Sequence, residues 1–352
     1  MSTRTKISHV LSLIVIGAVV LALVLTICAA PAPCQTPIRA PAKEKTKIEL
    51  ITGRPGDSWT VLSYALARFI NEDSDWLKVS VLSTGGMADG IKILAEQKNK
   101  RVTSATISSG DTAFLFFKET GIRAAFIGGT TPSCFTWITY DKNIKRLEDF
   151  AGKRVAGPRK VPGWAESFTI PLEDAGVLDK IKMSYTGMSG AITALLDGTV
   201  DIAYTSIDYI TQNRVQKGSL VEQAEARAPV YYPDWGRDRI EVTLSQKVGY
   251  PNKALKVPGG TLGSTQPDTI YLWLLPGWWG AAREMDPKIT YEIARILYAR
   301  ASKNEFAAFH MLGAGMNKDT VPYGVWTTKK DIEDWYHPGA LKFYRELGLK
   351  GL

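Results

Sequence analysis

Apolar and polar positions along this chain change period in a fixed order, and the whole order occurs twice. Ile48-Glu49-Leu50-Ile51-Thr52 reads as an apolar strand and Gly53-Arg54-Pro55-Gly56 as a turn. Leu62, Ala65, Leu66 and Phe69 then recur at helical spacing, behind Asp57 or Ser58 as N-cap. Val79 to Leu82 predicts a strand running into Ser83-Thr84-Gly85-Gly86-Met87, and Met87, Ile91 and Leu94 share one face of the helix that follows. Val102 to Ile107 predicts a third strand, ending at Ser108-Ser109-Gly110-Asp111.

The second unit opens with the strand Lys153 to Gly157 and the loop Pro158-Arg159-Lys160-Val161-Pro162-Gly163-Trp164. A helix through Ala165, Phe168 and Leu172 follows, with Pro171 expected to kink it or end it early. Ile181 to Tyr185 predicts a strand leading to Thr186-Gly187-Met188. A helix carries Ile192, Leu195 and Leu196, and a strand from Val200 to Tyr204 ends at Thr205-Ser206-Ile207-Asp208.

Strand–helix–strand–helix–strand implies parallel strands with helical crossovers, so each unit predicts one open α/β lobe. The expected fold class is α/β: two Rossmann-like lobes joined by a hinge, with a ligand cleft between them. Lobe 1 is expected over residues 46–132 plus 232–352, and lobe 2 over 133–231. The apolar segment Leu272 to Trp279 reads as a core strand and turn, or as a surface for a membrane or permease.

Residues 1–35 form a candidate export leader. Arg4 and Lys6 precede an apolar run from Val10 to Ile27, then Cys28-Ala29-Ala30 and a Pro-rich stretch. Since about 20 apolar residues span a bilayer, the segment is expected to be either a signal peptide or an N-terminal membrane anchor. A lipid-modified Cys28 or Cys34 is a further option. Residues 36–46 read as a linker, and the folded part is expected in the periplasm or another extracytoplasmic space.

Composition narrows the function class. The net charge of +8 drops to +6 without Arg4 and Lys6, and the bases are interspersed with acids. That modest excess suits an anionic solute, and no basic helix or aromatic-plus-basic stripe calls for nucleic acid. Beyond the leader region the only cysteine is Cys134, in an apolar run that reads as a buried small hydrophobe. No Cys/His spacing suggests a metal, no phosphate-binding glycine motif follows a strand, and no cofactor is expected. Ser109 and Asp111 with His310 or His337 would make a triad, but there is no GxSxG elbow. The chain is not expected to be an enzyme.

Candidate ligand-binding residues lie at the strand-to-helix turns, where backbone approaches closely and helix starts favour anions. In the first unit these are Asp57, Ser58, Trp59, Ser83, Thr84, Gly85, Gly86, Ser108, Ser109 and Asp111. In the second they are Arg159, Gly163, Trp164, Thr205 and Ser206. Ser83 to Gly86 could equally be a tight turn, the two Trp residues lobe core, and the Ser and Asp residues helix caps. Arg54 and Arg159 are mouth-loop cations able to fork onto a carboxylate.

These motifs resemble the TAXI solute receptors of tripartite ATP-independent periplasmic (TRAP) transporters, over about residues 47 to 352. Its carriers are the opening strand through Gly56-Asp57-Ser58-Trp59, the Ser83-Thr84-Gly85-Gly86 turn, Leu147 to Val155, and Leu196 to Ala203. The most specific is the closing His337-Pro338-Gly339-Ala340-Leu341-Lys342-Phe343-Tyr344. The resemblance implies a type II periplasmic-binding-protein fold, capture of an amino acid or organic acid and delivery to an integral-membrane TRAP permease; the chain is expected to be a monomer. The resemblance also implies a structural His337 that ties the terminal helix to a lobe. The chain departs from the family at the mouth. Gly56-Asp57-Ser58-Trp59 replaces a Gly-Gly-x-Tyr-Tyr-like turn, Ser108-Ser109-Gly110 lacks the Gln that commonly precedes the Asp, and Arg159 to Trp164 replaces a Gly-Ser-Gly-Thr-like loop. The relatives' ligands therefore do not transfer, and a bulkier carboxylate is expected. A receptor of the same fold for an ABC importer or a sensor, and an exported enzyme, are the alternatives.

Overall fold

A computed structural model of the protein describes residues 44–160, 164–211, 214–324 and 332–352. The leader and nearly all of the linker lie outside the described residues. Residues 1–44 form one unit and Lys45–Leu352 another, to which every element below belongs.

The first repeat folds as β1 (Thr46–Thr52), α1 (Ser58–Asp73), β2 (Leu77–Ser83), α2 (Met87–Glu96), α3 (Lys98–Thr103), β3 (Ser104–Ser109), α4 (Gly110–Thr120) and β4 (Ala124–Gly129). β1 pairs in parallel with both β2 and β3. β3 is buried along its whole length, as expected of a strand covered on both faces. α1 turns Trp59, Leu62, Ala65, Leu66, Phe69 and Ile70 inward. Burying each large apolar side chain contributes about 1.5–3 kcal/mol.

After β4 the chain enters a second sheet at β5 (Ser133–Thr139), then runs through β6 (Arg154–Gly157), α5 (Trp164–Asp174), β7 (Lys182–Tyr185), α6 (Met188–Leu196), β8 (Ile202–Thr211), β9 (Arg214–Lys217) and α7 (Ser219–Glu225). β6 pairs in parallel with β7 and β8, repeating the topology of the first unit. There follow α8 (Ser245–Val248), β10 (Lys253–Val257), β11 (Ile270–Leu275), β12 (Gly277–Ala282), α9 (Pro287–Ser302), α10 (Ile332–Trp335) and α11 (Pro338–Glu346). The strand orders are β2-β1-β3-β12-β4, and β10-β11-β5-β8-β6-β7 with β9 alongside β8.

Each repeat thus receives one antiparallel strand beside its third parallel strand, β12 next to β3 and β5 next to β8. The two segments that join the sheets run side by side. Leu275 is opposite Ser133, Trp278 is opposite Gly129, and the Thr130 N–H donates to the Gly277 carbonyl at 2.8 Å. α9 and α11 pack on each other and on β4. Under the second sheet lies an aromatic core in which Phe168 meets Trp137, Trp235 and Trp273 edge-on at 5.3–5.7 Å, an arrangement favoured by ring quadrupoles.

The structure corrects several sequence expectations. The chain does not rejoin the first sheet near residue 232. β10 and β11 stay in the second sheet through β5, and the return is made at Pro276. Leu272 to Trp279 is therefore not one strand and a turn but the ends of two strands in different sheets. Val102 and Thr103 end α3 rather than start a strand; Arg101 holds that helix by donating to the Leu94 and Ala95 carbonyls at 2.9 and 2.7 Å. Pro171 does not end α5, which continues to Asp174. β8 does not stop at Tyr204 but runs to Thr211, because β5 and β9 pair with its far half.

Candidate functional site

A cavity of about 480 Å³ is lined by residues from both sheets. The first sheet supplies the turns after β1 and β2 and the end of β3; the second supplies the turns after β6 and β7, the middle of β8 and the start of α7. Gly85, Gly86 and Met87 thus share one cavity with Arg159 and Trp164.

On the first wall, Asp57 Oδ2 accepts the Arg54 N–H at 3.2 Å and closes the β1–α1 turn, while Gly56 adopts φ +88°. Asp57 occupies the N-cap position, but its side chain makes no capping bond to the helix. In the next turn the Thr84 hydroxyl donates to the Thr52 carbonyl at 2.6 Å, so this side chain is spent on the turn itself. Asp89 lines the cavity one turn into α2.

On the second wall, β8 presents alternate residues. Tyr204, Ser206 and Asp208 line the cavity, whereas Thr205 points to the opposite face and is fully buried. On the paired strand, Ser133 is opposite Asp208 and Phe135 opposite Ser206. Trp164 meets Phe135 edge-on at 5.0 Å and forms an aromatic flank. The Arg159 guanidinium lies over Gly187: a Cβ there would be 3.4 Å from Arg159 Nε. Lys160 turns aside, its Nζ 4.5 Å from the centre of the Tyr185 ring.

The charges in the cavity are largely uncompensated. Arg54 and Arg159 make no side-chain hydrogen bond or ion pair with any described residue, unlike Arg239 and Arg300, each held by two or more carboxylates. Both act on Tyr204. Burial pushes its phenol up to about 12, and Arg54 and Arg159 pull the other way. Burial also raises the Asp208 carboxyl, with His310 opposing and Glu222 reinforcing that shift. His310 lines the cavity and its Nδ1 accepts the Leu312 N–H at 3.2 Å. Among the described residues no group of three or more His, Cys, Asp or Glu side chains could hold a metal ion.

Of the residues picked from sequence, Asp57, Ser58, Trp59, Gly85, Gly86, Ser109, Arg159, Trp164 and Ser206 line the cavity. Ser83, Thr84, Ser108 and Thr205 do not. Ser83 Oγ lies 3.2 Å from Tyr64 Oη, Thr84 closes its own turn, Ser108 is buried opposite Trp278, and Thr205 faces away. Gly163 lies outside the described residues; Asp111 is in α4, and its side chain also lies outside them. Sequence reasoning did not select Phe135, Tyr204 or Leu275, and it weighed Asp208 only as a strand-end residue or helix cap and His310 only as a triad member. They sit on the joining strands, within β8, or on a distant segment, not at strand-to-helix turns. The period of two in Tyr204-Thr205-Ser206-Ile207-Asp208 was the one local signal available.

Two sheets, each built on three parallel strands with an antiparallel joining strand beside the third, constitute the two-lobed α/β fold of periplasmic binding proteins. The sulfonate-binding protein SsuA of Methylobacillus flagellatus KT shares it with a TM-score of 0.51 at 14% identity, over 87% of this chain and 97% of that one. A TctC solute-binding protein from Polaromonas aligns with a TM-score of 0.45 at 14% identity, over 86% of this chain and 98% of that one. The Escherichia coli aliphatic sulphonate-binding protein SsuA aligns at 0.42 and 11%, over 87% and 89%. The family described as NMT1/THI5 like matches residues 77–235. No curated protein matches the chain. No helix among the described residues is long and apolar enough to cross a membrane; the Val10 to Ile27 segment lies outside them.

Proposed function

We propose that this chain is an extracytoplasmic solute receptor that closes two lobes on a small organic acid or amino acid and delivers it to a membrane permease. The first sheet with α9 and α11 forms one lobe and the second sheet the other. The hinge is the pair of joining segments at Thr130–Pro132 and Pro276. The observation that carries the reading is the pair of guanidiniums, Arg54 from one wall and Arg159 from the other, that line one aromatic-flanked cavity and make no ion pair within 4 Å among the described residues. A bound carboxylate would bridge them and favour the closed arrangement, which is the energetic requirement for ligand-driven closure. The resemblance to TAXI receptors supports a TRAP-type permease as the partner.

A thermal-shift and calorimetric panel tests this. Organic carboxylates and sulfonates are expected to stabilise the protein, with Arg159→Gln weakening the effect. Stabilisation by neutral sugars or cations, and by no acid, would overturn the reading. Reconstitution with a TRAP permease in vesicles under an ion gradient tests the partner; uptake that requires an ATPase instead assigns the receptor to an ABC importer.

A further inference from the structure

The cavity wall carries more acid than base. Asp57, Asp89 and Asp208 line it against Arg54 and Arg159. None of these five forms a side-chain ion pair within 4 Å among the described residues. Elsewhere in the fold, charges withdrawn from solvent are paired: Lys100 with Glu49, Lys217 with Glu225, and Arg300 with Asp73 and Glu305. A simple anion would satisfy the two guanidiniums and leave Asp208 facing it uncompensated. Like charges brought together in a desolvated site oppose binding.

The positions of the charges along β8 show how one ligand could satisfy both signs. Tyr204 and Asp208 lie on the same face of this strand with Ser206 between them, and Ala203 is opposite Ala156 of β6, so the strand that leads into Arg159 ends beside Tyr204. Four residues of strand separate their Cα atoms by about 13 Å. The stretch between is bordered by Phe135 on the neighbouring strand, by Leu275 and by Ser206. The cleft thus carries Arg159 at the Tyr204 end, with Arg54 and its turn neighbour Asp57 across on the other wall, a half-apolar middle, and Asp208 at the far end of β8. The charged neighbours that act on Asp208 are His310 and Glu222, and neither forms an ion pair with it.

We infer that the solute is an elongated amphoteric molecule, with its acid group between Arg54 and Arg159 and a cationic group several methylenes away against Asp208. This rests on the receptor reading above and narrows its substrate class. In a simple α-amino acid one carbon bears both charged groups, which cannot reach both ends; an ω-amino acid can. Ser206 is then a mid-span polar contact, and Phe135 and Leu275 pack on the methylenes.

The test is calorimetry on the whole chain with 4-aminobutanoate, 6-aminohexanoate and 8-aminooctanoate, each beside the acid of equal length without the amine. Succinate and benzoate are included as unrelated acids. At least one ω-amino acid is expected to bind ten-fold or more tightly than its amine-free counterpart. Asp208→Asn is expected to bring that ratio close to one, while Asp208→Glu keeps it and moves the optimum towards a shorter chain. A melting curve of each free variant shows that it is folded. Equal or tighter binding of the amine-free acids by the wild type overturns the inference, as does a ratio that survives Asp208→Asn. Binding of succinate or benzoate with no ω-amino acid bound overturns it too, yet leaves the receptor reading standing. If no acid of any kind binds, the receptor reading itself fails.

Discussion

The indole N–H of Trp59 donates to the main-chain carbonyl of Thr131 at 3.0 Å, across 72 residues of sequence. Thr131 belongs to the segment that leaves the first sheet. The same indole lies against Gly277, where the chain comes back: a Cβ there would be 2.3 Å from Trp59 Cζ2. One side chain at the start of α1 therefore clamps both joining segments, and it also lines the cavity. Trp59 is 6% exposed, so it serves as core and cavity wall at once.

This clamp predicts two stabilities. Gly277→Ala forces a methyl into the indole, and overpacking of that kind costs about 1–3 kcal/mol. Trp59→Phe keeps most of the ring but leaves the Thr131 carbonyl only the Thr130 hydroxyl as donor, at a cost of about 1 kcal/mol. Denaturant titration reads both, and a Gly277→Ala protein as stable as the wild type would show that the clamp yields freely.

The two guanidiniums predict an affinity pattern. Charge-assisted hydrogen bonds contribute about 1.5–3 kcal/mol each. Arg54→Gln and Arg159→Gln should therefore each weaken binding of the acid by roughly ten-fold or more. Calorimetry with an acid that binds the wild type checks this. If either variant binds as the wild type does, that side chain only faces solvent at the mouth.

His337 predicts a pH dependence of stability. It is fully buried at the start of α11. Its Nδ1 accepts the Gly339 N–H at 3.4 Å and lies 2.7 Å from the Thr290 hydroxyl oxygen. Burial lowers the imidazole from 6.5 to about 4. The unfolded chain binds a proton below pH 6.5 that the folded chain refuses until about pH 4. The contribution of neutral His337 is full above pH 6.5, falls through that interval on acidification, and changes little below it. Its size is on the order of 3 kcal/mol. Unfolding free energies at pH 7.5 and 4.5 should differ less in His337→Gln than in the wild type; identical pH slopes would contradict this account.

Cys134 is fully buried in β5, and burial pushes its thiol well above the ordinary range. Since the thiolate is the reactive form, peptide mapping after iodoacetamide treatment should find Cys134 unmodified in the native protein and alkylated in denaturant. Labelling in the native state would mean that β5 opens between the sheets.

Much of this fold was legible because its repeats are encoded locally. Apolar spacing in 48–52 and 62–69, and again in 165–172 and 192–196, marks strand–helix–strand units wherever the partners lie. The Gly-rich turns after β1 and β2 were also readable, and they do line the cavity. Thr84 was not separable from its neighbours, because its sequence does not show that its hydroxyl turns back to Thr52. Tyr204 and Asp208 escaped for another reason. Where β8 ends depends on β5 and β9, strands with no local mark in the β8 sequence.

The sequence by itself determined the periodic units, their order, their turn chemistry and the lone buried cysteine. Each depends on residues a few positions apart, where backbone geometry alone sets which side chains share a face. Only the tertiary structure decided that β11 belongs with β5, that Pro276 marks the return, and that Arg54 and Arg159 line one cavity with Tyr204. Those relationships join residues dozens to hundreds of positions apart. They are settled by how sheets pair and bury their apolar faces, a balance that no short stretch of chain contains.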